Sequence, residues 1–350
     1  MTDPTIMIIG LGDLGGLVLE LLAREDGTPR LVVGSRSAGS ATARCNLARV
    51  GAIAQGRHPE IIFQHIDLDE AATLAEAVRR HKPDLILTTA TMHTWWLTNL
   101  LPDEAAAPIK AAGFGVWLPV HLTPTRKLMQ ALHDIDYGGF TLIAPFPDVV
   151  NPILHRLGLT PTCGVGNVDE IVPKLRYLAA RKLDARLESI RVSLVAHHAL
   201  VPCAYRGVCD RVPPHHLRIF RDGEDVTRRL DAEAMLVAEY PFPSGPASHF
   251  LTAGCIVRLI RAFCCGNEIA THAPAPGGLP GGYPVLVSRQ GIRPAPIPDL
   301  SLEEAIDMNT RSHVFDGIER IEDDGTVLFA ARSVELMREA LGYDCDRLPP

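Results

Sequence analysis

Apolar residues at Ile6, Met7, Ile8 and Ile9 form an unbroken run that ends at Gly10, and from Leu14 they switch to helical spacing at Val18, Leu19, Leu21 and Leu22. A short apolar run followed by a periodic apolar stripe predicts a buried strand, a tight turn and a helix. The alternation continues. Leu31-Val32-Val33 and Ile61–Ile66 read as strands, Asp69–His81 as a helix and Asp84–Thr89 as a strand. Gly115–Val120 and Phe140–Ala144 are further strand expectations, with a helix near Thr125–His133 between them. Strand-helix alternation predicts an α/β Rossmann architecture, a doubly wound parallel sheet with helices on both faces. Ligands of such sheets sit beyond the carboxyl ends of the strands, which directs attention to residues 88–96 and 144–151.

The pattern changes in the second half. Val168–Leu183 reads as a long helix, Ser189–Val195 alternates as a strand, and Arg218–Val226 folds as a hairpin across Asp222-Gly223. Ser248–Cys265 is helical in spacing, and residues 274–298 are rich in Pro and Gly around a strand at Tyr283–Ser288. A helix over Leu302–Asn309, a hairpin at Asp324-Gly325 and a helix over Val334–Leu341 complete the chain. Hairpins mixed with helices predict an antiparallel α+β domain. The expected division is residues 1–147 for nucleotide binding and 148–350 for substrate binding and dimerisation.

Gly10-Leu11-Gly12-Asp13-Leu14-Gly15 has the Gly-x-Gly-x-x-Gly spacing, with a legible strand before it and a helix after it. Gly10 permits the turn, Gly12 lets a pyrophosphate approach the backbone, and Gly15 lets helix and strand pack closely. Asp13 and Leu14 open the helix, and Thr89 and Ala90 close the strand expected beside it, so all join the candidate cofactor contacts. The second strand ends in Ser35-Arg36-Ser37, where an NAD site usually carries an acid for the ribose hydroxyl. A guanidinium between two hydroxyls suits a 2′-phosphate, which favours NADP, with NAD possible if Arg36 lies on the adenine instead.

Composition narrows the partners. A formal net charge of -7 over 350 residues gives no reason to expect nucleic acid. The chain has no run of 18 apolar residues and no signal-like start, so neither a membrane span nor export is expected. Eight cysteines without a Cys-x-x-Cys pair point to reduced thiols in a cytoplasmic protein. A small-molecule substrate and a homodimer are the expected partners.

An acid at a helix start, Asp169, and the histidines at a strand end, His197 and His198, are spaced to meet at one crevice. A histidine oriented by a carboxylate donates and accepts protons near neutral pH. His197 and His198 point to opposite faces of a strand, so only one faces a ligand. His93 and Trp96 after the fourth strand, His121, and Lys174 on the long helix are candidate substrate contacts.

The order of these elements resembles the lactate/malate dehydrogenase superfamily. Asn167-Val168-Asp169, Arg176-Tyr177 and Ala196-His197-His198-Ala199 fall where that family has its Asn-Leu-Asp, Arg-Tyr and Gly-Glu-His-Gly segments. Gly281-Gly282-Tyr283-Pro284-Val285, Gln290-Gly291-Ile292 and Leu300–Glu304 resemble its closing strands and last helix start. The resemblance implies hydride transfer, with His198 as proton donor and acceptor and Asp169 as its partner. It also departs: Phe146-Pro147 stands for the family's Asn-Pro, and the segment beyond about residue 310 has no counterpart there. The segment Thr91–Trp96 lacks the family's loop arginine, and Val172 stands where the family has a carboxylate-binding arginine. An imine or an uncharged ketone therefore suits the chain as well as a keto acid does.

Two other functions fit the residues. His197, His198, Cys203, Cys209, His215 and His216 crowd into one segment, which would suit a nicotinamide-dependent, metal-assisted lyase or hydrolase, although the spacing matches no closed zinc site. A non-catalytic NADP sensor is the other, and it requires tight binding without turnover.

Overall fold

The computed structural model describes residues 4–27, 29–206, 209, 211–243, 245–264 and 267–350. The continuous apolar runs become interior strands of a parallel sheet because both their faces are covered. Ile6, Met7, Ile8, Leu31, Val32 and Leu87 have no exposed surface. The strands are β1 (Thr5–Ile9), β2 (Arg30–Ser35), β3 (Ile61–His65), β4 (Leu85–Thr88), β5 (Phe140–Ile143) and β6 (Cys163–Gly164). Their order is β3-β2-β1-β4-β5-β6, all parallel, with Ile9 beside Gly34 on one side and Thr88 on the other. The order reverses between β1 and β4, and a crevice opens there at the carboxyl ends.

Helices α1 (Asp13–Leu22) and α2 (Ala38–Ile53) cover one face. On the other lie α3 (Ala71–His81), α5 (Leu118–Asp134) and α6 (Pro147–Arg156), with α4 (Asp103–Ala111) preceding α5 in the chain.

The second sheet is antiparallel. It contains β7 (Ile190–Ala196), β8 (His215–Arg221), β9 (Glu224–Asp225), β10 (Ile269–Pro274), β11 (Gly282–Ser288) and β12 (Gly291–Pro294). It carries α7 (Val168–Leu183), α8 (Leu200–Arg206), α9 (Thr227–Leu230), α10 (Ala232–Val237), α11 (His249–Cys264) and α12 (Leu302–Arg311). Ile171 and Leu175 of α7 meet Val192 and Leu194 of β7 and Leu217 of β8 in one buried cluster. Helix α11 joins the halves, since its Ala253, Ile256, Val257 and Ile260 share a core with Val18, Leu19 and Leu22 of α1. Gly245–Cys264 is long and apolar enough to cross a membrane, and half of that stretch is buried inside the fold.

After α12 the chain returns to the first sheet. Strands β13 (Ile318–Ile321), β14 (Val327–Phe329) and β15 (Arg347–Leu348) form a small sheet with α13 (Ala331–Leu341). Ile318, Val327 and Phe329 are buried with Leu122, Val149 and Ile153 of α5 and α6. The first sheet takes its last strand, β6, from beyond residue 147, and the chain end packs on that same unit rather than on the second sheet.

Two expectations are corrected. Gly115–Val120 is not a strand but a 3-10 turn, Phe114–Trp117, running into α5. Pro119 sits in the first turn of that helix, where its missing N–H costs nothing, whereas inside a sheet it would break the ladder. The cysteines are not all free thiols, because Cys203 and Cys209 form a disulfide at the end of α8. Cys264 is half-buried, and Cys265 lies outside the described residues.

Candidate active site

The glycine turn has the geometry an anion cradle needs. Gly10 adopts φ +93°, and a Cβ there would stand 2.7 Å from the backbone nitrogen of Ala90. A Cβ on Gly15 would run into the Gly10 carbonyl and stand 2.7 Å from Thr89 Oγ1. Thr89 Oγ1 donates to the Gly10 carbonyl at 2.9 Å, which ties the end of β4 to the turn, and the Ala90 N–H donates to Thr88 Oγ1 at 3.2 Å within that strand end. Gly12 is exposed and its Cβ position is open space, so the start of α1 is free for a ligand. Asp13 is exposed in the first turn and Leu14 half-buried behind it. Open space at the second glycine and closed space at the first and third fit a dinucleotide backbone. At the end of β2, Arg36 is exposed and makes no ion pair among the described residues, flanked by Ser35 and by Ser37, whose hydroxyl accepts from Ser40 at 2.7 Å.

Across the crevice, His198 follows β7. Its Nδ1 lies 3.1 Å from Oδ2 and 3.3 Å from Oδ1 of Asp316. Its backbone N–H donates to Asp148 Oδ1 at 2.8 Å, and Asn167 Nδ2 donates to the other oxygen of the same carboxylate. The imidazole lies 4.7 Å from the ring of Phe114 and 5.3 Å from that of Phe146. Phe114 stacks in turn on His121 at 5.6 Å, and His121 Nδ1 meets Thr91 Oγ1 at 3.1 Å. These contacts place His198 beside the segments that follow β4 and β5.

Asp316 reaches His198 because glycines surround it. A Cβ on Gly113 would stand 2.5 Å from the Asp316 carbonyl carbon, and one on Gly115 would stand 2.6 Å from its oxygen. A Cβ on Gly317 would meet the Ala112 carbonyl. The turn that seats Phe114 against His198 therefore also admits the backbone of Asp316.

The electrostatics favour a charged imidazole. Burial pushes the His198 pKa down, but the carboxylates of Asp316, Asp148 and Glu170 outweigh it and the net shift is upward. Burial pushes Asp316 up, and His198, His197 and His313 outweigh that and hold it below the usual range. Asp148, fully buried, is pushed up to about 6 by desolvation, against the pull of His198 and Asn167. A protonated ring held by an ionised Asp316 is a proton donor in place.

Other sequence-selected residues lie elsewhere. Asp169 is not the partner of His198; it is buried in an ion pair with Arg258 of α11 and accepts from Cys255 through its carbonyl. Lys174 is not a substrate contact. It is buried, donates to the carbonyls of Leu236 and Ala238 at 2.9 Å each and to that of Ala204, and thereby ties α7 to α8 and α10. Burial lowers its pKa to about 8. Arg176 is likewise spent on the carbonyls of Ile190 and Leu187.

His197 is fully buried, 3.4 Å from Asp316 and edge-on to His313 at 5.1 Å, and desolvation lowers it to about 3. His121 sits on α5 rather than at a strand end, is also lowered to about 3 by burial, and leaves its Nε2 unpartnered. His93 is exposed with its ring edge on Trp117, and Trp96 is half-buried with Nε1 unpartnered.

The crowded histidines and cysteines do not converge. His215 pairs with Glu233, His216 bonds the Pro298 carbonyl, and Cys203 and Cys209 are joined to each other. Among the described residues no group of three His, Cys, Asp or Glu is arranged to hold a metal.

Sequence reasoning missed Asp316, Asp148 and Phe114. Asp316 stands in a 3-10 segment, Ser312–Asp316, with no motif around it. Phe114 carried a legible signal, since an aromatic residue between two glycines marks a backbone that something approaches closely.

No protein-family model matches the chain, and no curated protein sequence does. Solved structures do match in fold. A lactate dehydrogenase from Eimeria maxima, solved with NADH and oxamate, shares 12% identity at a TM-score of 0.62, covering 90% of this chain and 92% of that one. A malate dehydrogenase from Cryptosporidium parvum shares 13% at 0.61, covering 90% and 97%. A minor L-lactate dehydrogenase from Enterococcus mundtii, in a ligand-bound form, shares 13% at 0.62, covering 90% and 96%. With its 3-2-1-4-5-6 parallel sheet followed by an antiparallel α+β unit, the chain has the lactate/malate dehydrogenase fold.

Proposed function

We propose that the protein is an NADP-dependent oxidoreductase that moves a hydride between nicotinamide and a small carbonyl or imine carbon. The observation that carries this reading is the His198–Asp316 pair, 3.1 Å apart, beside the segments that follow β4 and β5, in a fold with an open glycine cradle at the end of β1. Gly10, Gly12, Gly15 and the start of α1 would hold the pyrophosphate, and Ser35, Arg36 and Ser37 a 2′-phosphate. Bound there, the cofactor would supply the hydride.

His198 holds a proton for the developing oxygen anion and takes it back in the reverse direction. Asp316 keeps the ring oriented and stabilises its charged form. Phe114 and Phe146 flank the ring and reduce its exposure to water, which strengthens both interactions. The similar structures support nicotinamide chemistry through the NADH of the Eimeria enzyme. The preference for NADP rests on this chain's own Arg36 and on the lack of an acid beside it.

The test is NADPH oxidation followed at 340 nm against keto acids, neutral ketones and keto acid plus amine mixtures, with NADH in parallel. Turnover that disappears in His198→Ala supports the reading. NADPH binding without turnover across all three classes overturns it in favour of a sensor.

A further inference from the structure

We propose that the substrate of this site carries a positive charge, being an amino ketone in one direction and the amino alcohol in the other, with Glu170 receiving its ammonium group. This rests on the oxidoreductase reading.

The charges grouped about His198 are acids. Asp316 bonds its ring, Asp148 bonds its backbone N–H, and Glu170 stands in the first turn of α7, just after Asn167, whose amide donates to that same Asp148 carboxylate. The basic side chains near these elements are committed elsewhere: Lys174 to three carbonyls, Arg258 to Asp169, Arg176 to two carbonyls. The segment Thr91–Trp96 has no arginine or lysine, and Val172 is apolar and buried. A carboxylate entering here meets like charge and no guanidinium, whereas an ammonium group meets a carboxylate.

Glu170 is held in place from two sides. It lies in the first turn of α7, its Oε1 accepts from Thr252 Oγ1 at 2.7 Å, and its carbonyl accepts from the Tyr205 hydroxyl at 2.6 Å. A Cβ on Gly166 would stand 2.9 Å from that same Oε1. Independently, His249 lies one turn before Thr252 on the same side of α11, which is the helix that abuts α1. His249 is only 9% exposed, its Nδ1 has no partner, and its ring is edge-on to Trp95 of the loop after β4. A buried nitrogen left unbonded between the cofactor helix and the Glu170 wall marks where a ligand's polar group completes the bonding.

The chemistry balances. The carbonyl carbon gains the cofactor's hydride, the C=O electron pair moves to oxygen, and oxygen takes the proton from His198. The ammonium keeps its charge on Glu170 throughout. Oxidation of the amino alcohol is the reverse.

Aminoacetone, hydroxyacetone and pyruvate test this with the full-length protein, because they share a three-carbon methyl ketone frame and differ in charge. NADPH oxidation is expected to show kcat/KM for aminoacetone at least about 10-fold above hydroxyacetone, chiefly through KM, with pyruvate lowest. Glu170→Gln is expected to bring the aminoacetone to hydroxyacetone ratio close to one. Should that variant fail to fold, the wild-type KM for aminoacetone still decides, since it must rise with salt while that for hydroxyacetone does not. A preference for hydroxyacetone or pyruvate overturns the proposal and leaves the oxidoreductase standing. No turnover of any ketone overturns both.

Discussion

Asp316 Oδ2 lies 3.1 Å from His198 Nδ1 across a sequence separation of 118 residues, and it belongs to the segment that packs back on the first sheet. On the proposed reading, the carboxylate that serves His198 is set in place by how the chain end packs. Asp316→Asn is expected to lower kcat by on the order of 10²–10⁴-fold while NADPH still binds. The carboxylate raises the His198 pKa, so its loss moves that pKa down. Reduction needs the protonated ring, so the activity of the variant must fall away at a lower pH than in the wild type. A pH–rate profile with an unmoved alkaline limb would assign Asp316 a structural role only.

The glycine cradle separates binding from folding. Gly12→Val adds a side chain into open space at φ -78°, so the unliganded protein should melt as the wild type does. It should lose the rise in Tm on adding NADPH, worth about 2.7 kcal/mol at 100 times Kd. Gly15→Ala instead drives a methyl group into the Gly10 carbonyl and should destabilise the unliganded protein by roughly 1–3 kcal/mol. Thermal melts of both variants with and without NADPH check the pair.

Arg36 is the test of cofactor choice. Arg36→Ala should cut the NADPH to NADH ratio of kcat/KM by about 10–100-fold, the loss of a bidentate charge-assisted contact. A ratio that does not move would place the guanidinium on the adenine or in solvent.

Lys174 is predicted to matter for stability alone. Lys174→Met leaves three backbone carbonyls at the ends of α8 and α10 without their donor and should cost about 2–4 kcal/mol in urea unfolding. A raised KM without lost stability would return Lys174 to the substrate site.

Asp148 gives a pH signature in stability. Its folded pKa, about 6, stands above the unfolded value of 3.8, so the folded state binds the proton more tightly. Stability from this group is present below about pH 4 and is lost as pH rises to about 6, by order 1–3 kcal/mol. Asp148→Asn should remove that decline, which melting curves between pH 4 and 7 would reveal.

Much of the fold is legible in the sequence. The run Ile6–Ile9, the glycine triplet and the periodic leucines after it specify strand, turn and helix locally, because burial on both faces demands continuous apolar residues and the turn demands glycine. Helix α7 spans the expected Val168–Leu183, and the β8–β9 hairpin turns at Asp222-Gly223. Both follow from short-range periodicity and turn chemistry. Gly115–Val120 forms a 3-10 turn and helix start instead of the expected strand, because a few apolar residues around a proline suit either equally.

The partner of His198 was decided only by tertiary structure. Asp169 had the right spacing, yet α11 places Arg258 against it, and an ion pair across two helices leaves no trace in either sequence. Asp316 carries no motif; its role depends on glycines 113, 115 and 317 allowing two distant backbones to touch. Lys174, expected from the sequence as a substrate contact, is instead enclosed by three carbonyls from helices far along the chain. Periodicity reports which side of an element is buried, and the chain alone determined that much. Which charges then face one another is set by long-range packing, in which a carboxylate gains a histidine or an arginine according to the helix that arrives.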